Sequence, residues 1–266
     1  MSPQYSSLLR SANVLAFIIT VAINSLAGAV GLNGITTSAV SDLYPNLVTP
    51  AGYVFSIWGV IYVLLAAFVV FQALPSHKHD EFHNKIGFLF LASCVANILW
   101  LLLFHYGYLA LSVPVMFLLL ASLITIYLRL DVGRAGVPMR ERLCVHLPFS
   151  VYLGWITVAY IANMAATLVS IGWDGFGLGD VSWTMLVIIV ALAITLGIIF
   201  TRRDVGYSAV IVWALGGIIF KQSGIQDIVA TAAAGIVVIA VALVVAVFWS
   251  RRGRGTENAT ESKAPT

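Results

Sequence analysis

Residues 147–172 read LPFSVYLGWITVAYIANMAATLVSIG and contain no Asp, Glu, Lys or Arg. About 20 consecutive apolar residues are enough for a helix to cross the hydrocarbon core of a bilayer. Only helices and closed barrels satisfy their backbone hydrogen bonds in lipid, and this run does not alternate as a barrel strand would. The stretch therefore predicts a membrane-spanning helix.

The rest of the chain has a similar composition. Hydrophobic residues make up 61% of the 266 residues and charged residues only 9%, whereas about a quarter of an ordinary soluble domain is charged. This disfavours water-soluble enzymes, nucleic-acid-binding proteins and disordered chains. Eight apolar runs can be marked, and we expect eight transmembrane helices: 13–32, 51–74, 86–105, 108–129, 147–172, 181–201, 205–220 and 228–250.

The basic residues predict how these helices are oriented, because Lys and Arg are concentrated in cytoplasmic loops. If all eight runs span and both termini are cytoplasmic, then every one of the 14 Lys and Arg residues except Lys221 lies inside. The short run 205–220 must span in this arrangement, since omitting it would move Arg251, Arg252 and Arg254 outside. We expect both termini in the cytoplasm.

Two segments allow a second interpretation. The first run follows Arg10 and ends near Ala27-Gly28-Ala29, which also fits a cleaved signal peptide, although the charge count agrees with its retention. The loop 75–85 contains the cluster His77, His79, Asp80, Glu81 and His83. A metal site there is the less favoured hypothesis, and we predict a solvated loop without metal.

Sequence motifs of catalysis are missing. The chain contains no HExxH, GxSxG, P-loop or CxxC motif, and we assign no catalytic residue. No Asp or Glu lies deep inside a predicted span, and ion-coupled transporters usually need such a group. Both observations favour a binding protein over an enzyme or an ion-coupled transporter.

The informative polar residues are the amides Asn24, Asn97 and Asn163, in the first, third and fifth spans. An amide in hydrocarbon needs a partner, either on another helix or on a bound ligand. Aromatic residues share a helical face with two of these amides, and a third face is purely aromatic. The three faces are Asn97, Trp100 and Phe104; Tyr152, Trp155, Ala159 and Asn163; and Phe55, Trp58 and Tyr62. Such faces predict a pocket for a large, flat, mostly apolar ligand.

At these positions the sequence resembles the TspO/MBR family of tryptophan-rich sensory or translocator proteins. The second helix reads TPAGYVFSIWGVIY over 49–62, the third contains Asn97-Ile98-Leu99-Trp100, and the fifth contains Tyr152-Leu153-Gly154-Trp155 followed by Ala159 and Asn163. The resemblance covers about 8–175. Tyr53 stands where the family usually has Trp, and the loop 33–50 lacks the family's tryptophans.

The resemblance implies an all-α integral membrane protein, in which 8–175 form a five-helix TspO-like transmembrane bundle. Three additional transmembrane helices over 181–250 and a disordered cytoplasmic tail over 251–266 would follow. The family binds porphyrin-like tetrapyrroles, and some members bind sterols or synthetic ligands, under the loop between the first two helices. The implied ligand-binding residues are Tyr53, Trp58, Asn97, Trp100, Tyr152, Trp155 and Asn163. We expect no cofactor other than such a tetrapyrrole ligand.

The leading hypothesis is a receptor or carrier for a hydrophobic ligand, embedded in the lipid of a prokaryotic cell membrane. A structural or assembly protein without a ligand, a porphyrin-degrading enzyme and a conventional transporter remain as alternatives. We expect the last three helices to scaffold the core or to mediate homo-oligomerisation. Ala230, Ala234, Ala242 and Ala246 predict a small-residue packing stripe on the eighth helix.

Overall fold

The computed structural model describes residues 3–78 and 80–261, with side chains for 7–78 and 80–246. Eight long helices dominate it: α1 Pro3–Ala29, α2 Ile57–Ala73, α3 Leu89–His105, α4 Leu109–Leu130, α5 Leu147–Ser170, α6 Asp180–Arg202, α7 Val205–Lys221 and α8 Gln226–Glu261. Over the described backbone there is no β-strand, only an isolated bridge between Leu32 and Ile35. The predicted all-α class is confirmed. His79 and the end of the predicted tail, 262–266, lie outside the described residues.

Six of these helices, α1, α2, α4, α5, α6 and α8, are long and apolar enough to cross a membrane within the described part of the chain. The α2 span includes a 3₁₀ turn at its start, Gly52–Ser56. Helices α3 and α7 have 17 residues each, or about 25 Å at 1.5 Å per residue. The lengths and apolar compositions of the six longer helices make the chain an integral membrane protein.

The third helix begins later than the apolar run predicted. A short helix, Phe82–Ile86, ends at Gly87, whose φ of 53° interrupts the helical path. Glycine tolerates this backbone conformation because it has no Cβ. The break shortens α3, so that its length resembles that of α7.

The first five helices form a closed ring. Helix α1 packs on α2 and α3, α3 packs on α4, α4 packs on α5, and α5 packs on α2. At one level the ring is filled by Phe68, Phe90 and Phe149, whose ring centroids lie 4.9–6.0 Å apart in edge-to-face contacts. The interior of this ring is where the predicted aromatic faces meet.

The last three helices join the ring through α7, which packs on α5, while α8 packs on α6 and α7. Glycines permit the contact between α5 and α7. A Cβ on Gly206 would lie 2.5 Å from the Ser150 hydroxyl oxygen, and a Cβ on Gly154 would lie 3.1 Å from Cβ of Val210. The two backbones therefore approach closely, as small residues allow in membrane helices.

A buried carboxylate fixes one end of this junction. Asp204, which precedes α7, is only 6% exposed. It accepts hydrogen bonds from the hydroxyl of Tyr127 at 2.8 Å, the hydroxyl of Ser150 at 2.6 Å and the backbone N–H of Tyr207 at 3.2 Å. Since these donors belong to α4, α5 and α7, Asp204 ties three helices together.

The packing stripe predicted on α8 is correct for two of its four alanines and wrong for the other two. Ala242 and Ala246 are buried, but Ala230 and Ala234 face outward. Steps of four residues drift by about 40° each around a helix with 3.6 residues per turn, so a long stripe of this kind cannot stay on one face. The buried face instead consists of Ile228, Ala232, Gly235, Ile239, Ala242 and Ala246.

The loop that follows α2 is held by internal contacts. His77 Nδ1 and the Asp80 carboxylate are 2.7 Å apart, and His83 Nε2 lies 2.9 Å from the carbonyl oxygen of His77. Among the residues that the structure describes, no group of three or more His, Cys, Asp or Glu side chains is placed to hold a metal ion.

Candidate ligand-binding site

A chain of hydrogen bonds crosses the interior of the five-helix ring. Asn24 on α1 donates to the side-chain oxygen of Asn97 on α3 at 2.7 Å, and Asn97 donates to the hydroxyl of Tyr152 on α5 at 3.2 Å. Asn97 and Tyr152 are 0% and 3% exposed. Two of the amides predicted from the sequence thus satisfy each other between helices.

The third predicted amide, Asn163, forms a second polar group nearer the other end of α5. Its side-chain oxygen accepts from the Ser112 hydroxyl on α4 at 3.0 Å and from the Trp100 indole at 3.5 Å. Ser112 was missed in the sequence, where it lies in an apolar run with no amide or aromatic pattern. Its completely buried hydroxyl appears only once α4 and α5 are packed.

Trp58 on α2 is the centre of an aromatic cluster that joins these polar groups. Its ring centroid lies 6.4 Å from Trp100, 6.0 Å from Tyr152 and 6.2 Å from Trp155, and it stacks on Tyr62 at 5.5 Å. We call the six residues Trp58, Asn97, Trp100, Tyr152, Trp155 and Asn163 the core cluster. All six belong to the ligand-binding set predicted from the sequence.

Tyr53 is the one predicted site residue that the structure does not bring into this cluster. Its ring packs edge-to-face against Trp213 and Phe220 on α7, with centroids 5.5 Å and 5.6 Å away. Tyr53 lies in the 3₁₀ turn Gly52–Ser56, where three residues make a turn. Residues five apart lie about 140° apart around a regular helix, and Tyr53 faces α7 and not the interior.

The cluster leaves little free space. A cavity of about 20 Å³ lies beside Trp155 and Asn163, and Phe55, Phe104 and Pro50 also line it. This volume holds about one water molecule. The aromatic side chains therefore fill the interior that a large ligand would need.

Two of the residues that line this cavity carry hydrogen-bond donors without a partner among the described residues. These donors are the indole N–H of Trp155 and the side-chain NH₂ of Asn163, both buried. Leaving a buried donor unpaired costs about 1–3 kcal/mol. Both donors could bond to an acceptor atom in the cavity, such as a carbonyl or carboxylate oxygen.

The cavity is covered by a segment between α1 and α2 that we call the cover segment, residues 41–56. Ser41, Pro50 and Phe55 of this segment line the cavity. Asn46 stabilises its turn, since its side-chain oxygen accepts from the backbone N–H groups of Val48 and Thr49 at 3.1 Å and 2.8 Å. Access to the core cluster from this end requires the cover segment to move.

Helix α7 holds the cover segment in place, which the sequence did not reveal. Ala51 donates its backbone N–H to the carbonyl oxygen of Gly217 at 3.2 Å, and the Trp213 indole donates to the carbonyl oxygen of Val54 at 3.1 Å. Lys221 forms an ion pair with Asp42 at 2.7 Å. The last three helices, which we call the appended helices, therefore contact the cover segment of the candidate site.

Comparison with known proteins identifies the family of the chain. Searches of curated proteins and of solved structures gave no match. The family model described as TSPO-like protein matches residues 10–247. This match extends from α1 into α8 and so includes the three helices that follow the five-helix ring. Because it covers most of the chain, the protein belongs to the TSPO-like family of membrane proteins.

Proposed function

We propose that the protein is a membrane receptor or carrier that binds a large, flat, apolar ligand at the core cluster. The observation that carries this proposal is the pair of unpaired donors, Trp155 Nε1 and Asn163 Nδ2, on two residues that line the same small cavity. A purely structural core gains nothing from burying donors without partners, because each lowers stability. A ligand with an acceptor group would satisfy both.

The chemistry of the site favours a carboxylate-bearing tetrapyrrole such as protoporphyrin. The indoles of Trp58, Trp100 and Trp155 offer aromatic surface from three helices, and stacked aromatic pairs contribute about 0.5–1.5 kcal/mol beyond their buried area. The two unpaired donors suit a carboxylate oxygen, since hydrogen bonds to charged acceptors are the stronger ones.

Binding must enlarge the cavity, because about 20 Å³ is far smaller than such a ligand. The cover segment supplies Pro50 and Phe55 to the cavity wall, and Phe55 packs edge-to-face on Trp155 with centroids 5.6 Å apart. We propose that this segment withdraws and that Phe55 leaves Trp155 when the ligand enters. Helix α7 then acts as the support against which the segment closes.

A titration of protoporphyrin into the detergent-solubilised protein tests this function through quenching of tryptophan fluorescence. Trp155→Phe keeps an aromatic ring but removes the unpaired donor, and we expect affinity to fall roughly tenfold, since about 1.4 kcal/mol corresponds to a factor of ten. Trp183→Phe makes the same change outside the cluster and should bind as the wild type does. Equal affinity in all three proteins would contradict the proposal.

The structural alternative also has an observation in its favour. The core cluster already fills the ring interior, and Asn97 is paired on both sides by Asn24 and Tyr152. A structural or assembly protein needs no more than this. It predicts that protoporphyrin neither quenches the tryptophans nor raises the melting temperature, whereas a ligand bound only to the folded state must raise it.

We also propose that both termini lie in the cytoplasm, an orientation supported by the distribution of Lys and Arg. Single cysteines at Ser38 and Gly177 should react with an impermeant maleimide in intact cells. Cysteines at Lys78 and Arg134 should react only after permeabilisation. Labelling of the Arg134 position in intact cells would overturn the orientation.

A further inference from the structure

A second cavity lies between α5 and α6, outside the five-helix ring. Its volume is about 380 Å³, within the range of about 300–1,000 Å³ that small-molecule sites occupy. Ile161, Ala165 and Leu168 line it from α5, and Val187 and Val190 from α6. Spacings of three and four residues place each set on one helical face. Two apolar helix faces are therefore directed at each other across an open gap, which we call the α5–α6 groove.

Among the described residues, the hydrogen bonds that join α6 to the ring lie at its far end. There the Arg202 guanidinium donates to the Asp131 carboxylate and to the carbonyl oxygen of Val132, both at 3.1 Å. Arg134 donates to the carbonyl oxygen of Thr201 at 2.8 Å. Along the rest of its length α6 packs mainly on α8. The groove lies at the opposite end of α6, where the loop 171–179 joins it to α5.

The surroundings of the groove indicate what fills it. Both walls belong to membrane-spanning helices and are lined mainly by apolar side chains. An unfilled gap of this size would forfeit dispersion contacts along both helices. A lipid acyl chain is the apolar group that a bilayer supplies at high concentration on that face.

The rim of the groove carries one negative charge. Asp180 is the only charged residue that lines the groove among the described residues, and it is exposed. Lys221, the cation predicted for the same side of the membrane, is engaged by Asp42. The indole rings of Trp173 and Trp183 also line the groove, with centroids 5.1 Å apart. A carboxylate beside tryptophan rings attracts an ammonium group and repels a headgroup of purely negative charge.

We propose that the α5–α6 groove binds one phospholipid whose headgroup carries an ammonium. One acyl chain lies between Ala165 and Val187, and the ammonium lies against Asp180 and the two indoles. This site lies apart from the core cluster, although residues 45–48 of the cover segment also line it. It goes beyond the proposed function. The bound lipid would contact both α5 of the five-helix ring and α6 of the appended helices, and so would help to hold them together.

Native mass spectrometry of the solubilised protein tests the proposal, with equal amounts of a phosphatidylethanolamine and a phosphatidylglycerol of the same acyl chains. The wild type should retain one phosphatidylethanolamine in preference. Ala165→Phe and Val190→Phe fill the groove from opposite walls, and each should lower the lipid-bound fraction roughly tenfold, because the apolar contacts of the chain are lost. Ala193→Phe adds the same side chain to an exposed position of α6 outside the groove and should bind as the wild type does.

Asp180→Asn tests the headgroup without changing the volume of the groove, so it remains decisive if a filling variant folds poorly. This variant should lose the preference for phosphatidylethanolamine. Asp174→Asn removes a charge from the loop that precedes α6, at a position that does not line the groove, and it should keep the preference. The proposal is overturned if the wild type shows no preference between the two lipids, or if folded Ala165→Phe and Val190→Phe retain lipid as the wild type does.

Discussion

The indole N–H of Trp213 on α7 donates a hydrogen bond to the carbonyl oxygen of Val54 in the cover segment, at 3.1 Å. The two residues are 159 positions apart in the chain. Their contact connects the appended helices directly to the segment that closes the core cluster. The five-helix ring and the last three helices thus also meet at the segment that we propose to move when a ligand enters.

Trp213→Phe should loosen the cover segment. The substitution keeps the aromatic contact with Tyr53 but removes a hydrogen bond worth about 0.5–1.5 kcal/mol. The amides of residues 51–56 should then exchange with deuterium roughly twofold to tenfold faster, as measured by mass spectrometry. Trp183→Phe serves as the matched control. Unchanged exchange in Trp213→Phe would mean that α7 does not restrain the segment.

Gly216 and Gly217 are neighbours on α7 that should respond in opposite ways to alanine. A Cβ on Gly217 would lie 2.2 Å from a methyl carbon of Val54, whereas nothing lies within 4 Å of a Cβ on Gly216. Gly217→Ala should lower stability by about 1–3 kcal/mol through overpacking. Gly216→Ala should be neutral or stabilise by up to about 1 kcal/mol, because alanine favours the helix. Thermal unfolding in detergent measures both, and a similar melting temperature for the two variants would disprove the close contact.

Asp204→Asn should weaken the junction between the ring and α7. The substitution replaces a buried carboxylate that accepts from Tyr127, Ser150 and the backbone of Tyr207. Losing hydrogen bonds to a charged acceptor should lower stability by about 1–3 kcal/mol. Asp227→Asn changes an exposed aspartate on α8 and should leave the melting temperature unchanged. Equal melting temperatures for the two variants would argue against a structural role for Asp204.

Stability should fall on mild acidification because of His83, in the loop between α2 and α3. Burial lowers the pKa of His83 below its usual value of 6.5, and the charge of Arg10 acts in the same direction, against the carbonyl of His77 and the charge of Asp80. The unfolded chain therefore binds more protons at this group than the folded protein, so its stabilising effect is present above about pH 6.5 and is lost as pH falls below that value.

The melting temperature should accordingly decrease between pH 7.5 and pH 5.5, values chosen to bracket the ordinary pKa of histidine of about 6.5. His83→Gln removes the titrating group but keeps a side chain that can donate to the carbonyl oxygen of His77. The decrease should be smaller in this variant. An identical pH dependence in both proteins would exclude His83 as its source.

Much of the core cluster could be predicted because the spacing of its residues can be recognised within single apolar runs of the sequence. Residues such as Trp155 and Asn163 repeat at helical spacing within one apolar run, and a membrane helix preserves that spacing as a face. The family resemblance then indicated which faces meet. The structure brings every predicted site residue except Tyr53 into the cluster, and their ligand remains a proposal.

The residues that sequence reasoning missed depend on contacts between distant parts of the chain. Tyr53 packs on Trp213 and Phe220 of α7, and this contact depends on how α7 docks. Asp204 looks like a loop residue in the sequence, and its burial depends on α4 and α5 packing around it. The contact of Trp213 with Val54 likewise follows from the way α7 docks, which no spacing pattern encodes.

A structure determined with protoporphyrin bound tests the central claim most directly. Our account predicts the ligand among Trp58, Trp155 and Asn163, with an oxygen within hydrogen-bonding distance of Trp155 Nε1 and with Phe55 displaced from its contact with Trp155. A ligand seated elsewhere, with the core cluster still closed around its cavity of about 20 Å³, would contradict it.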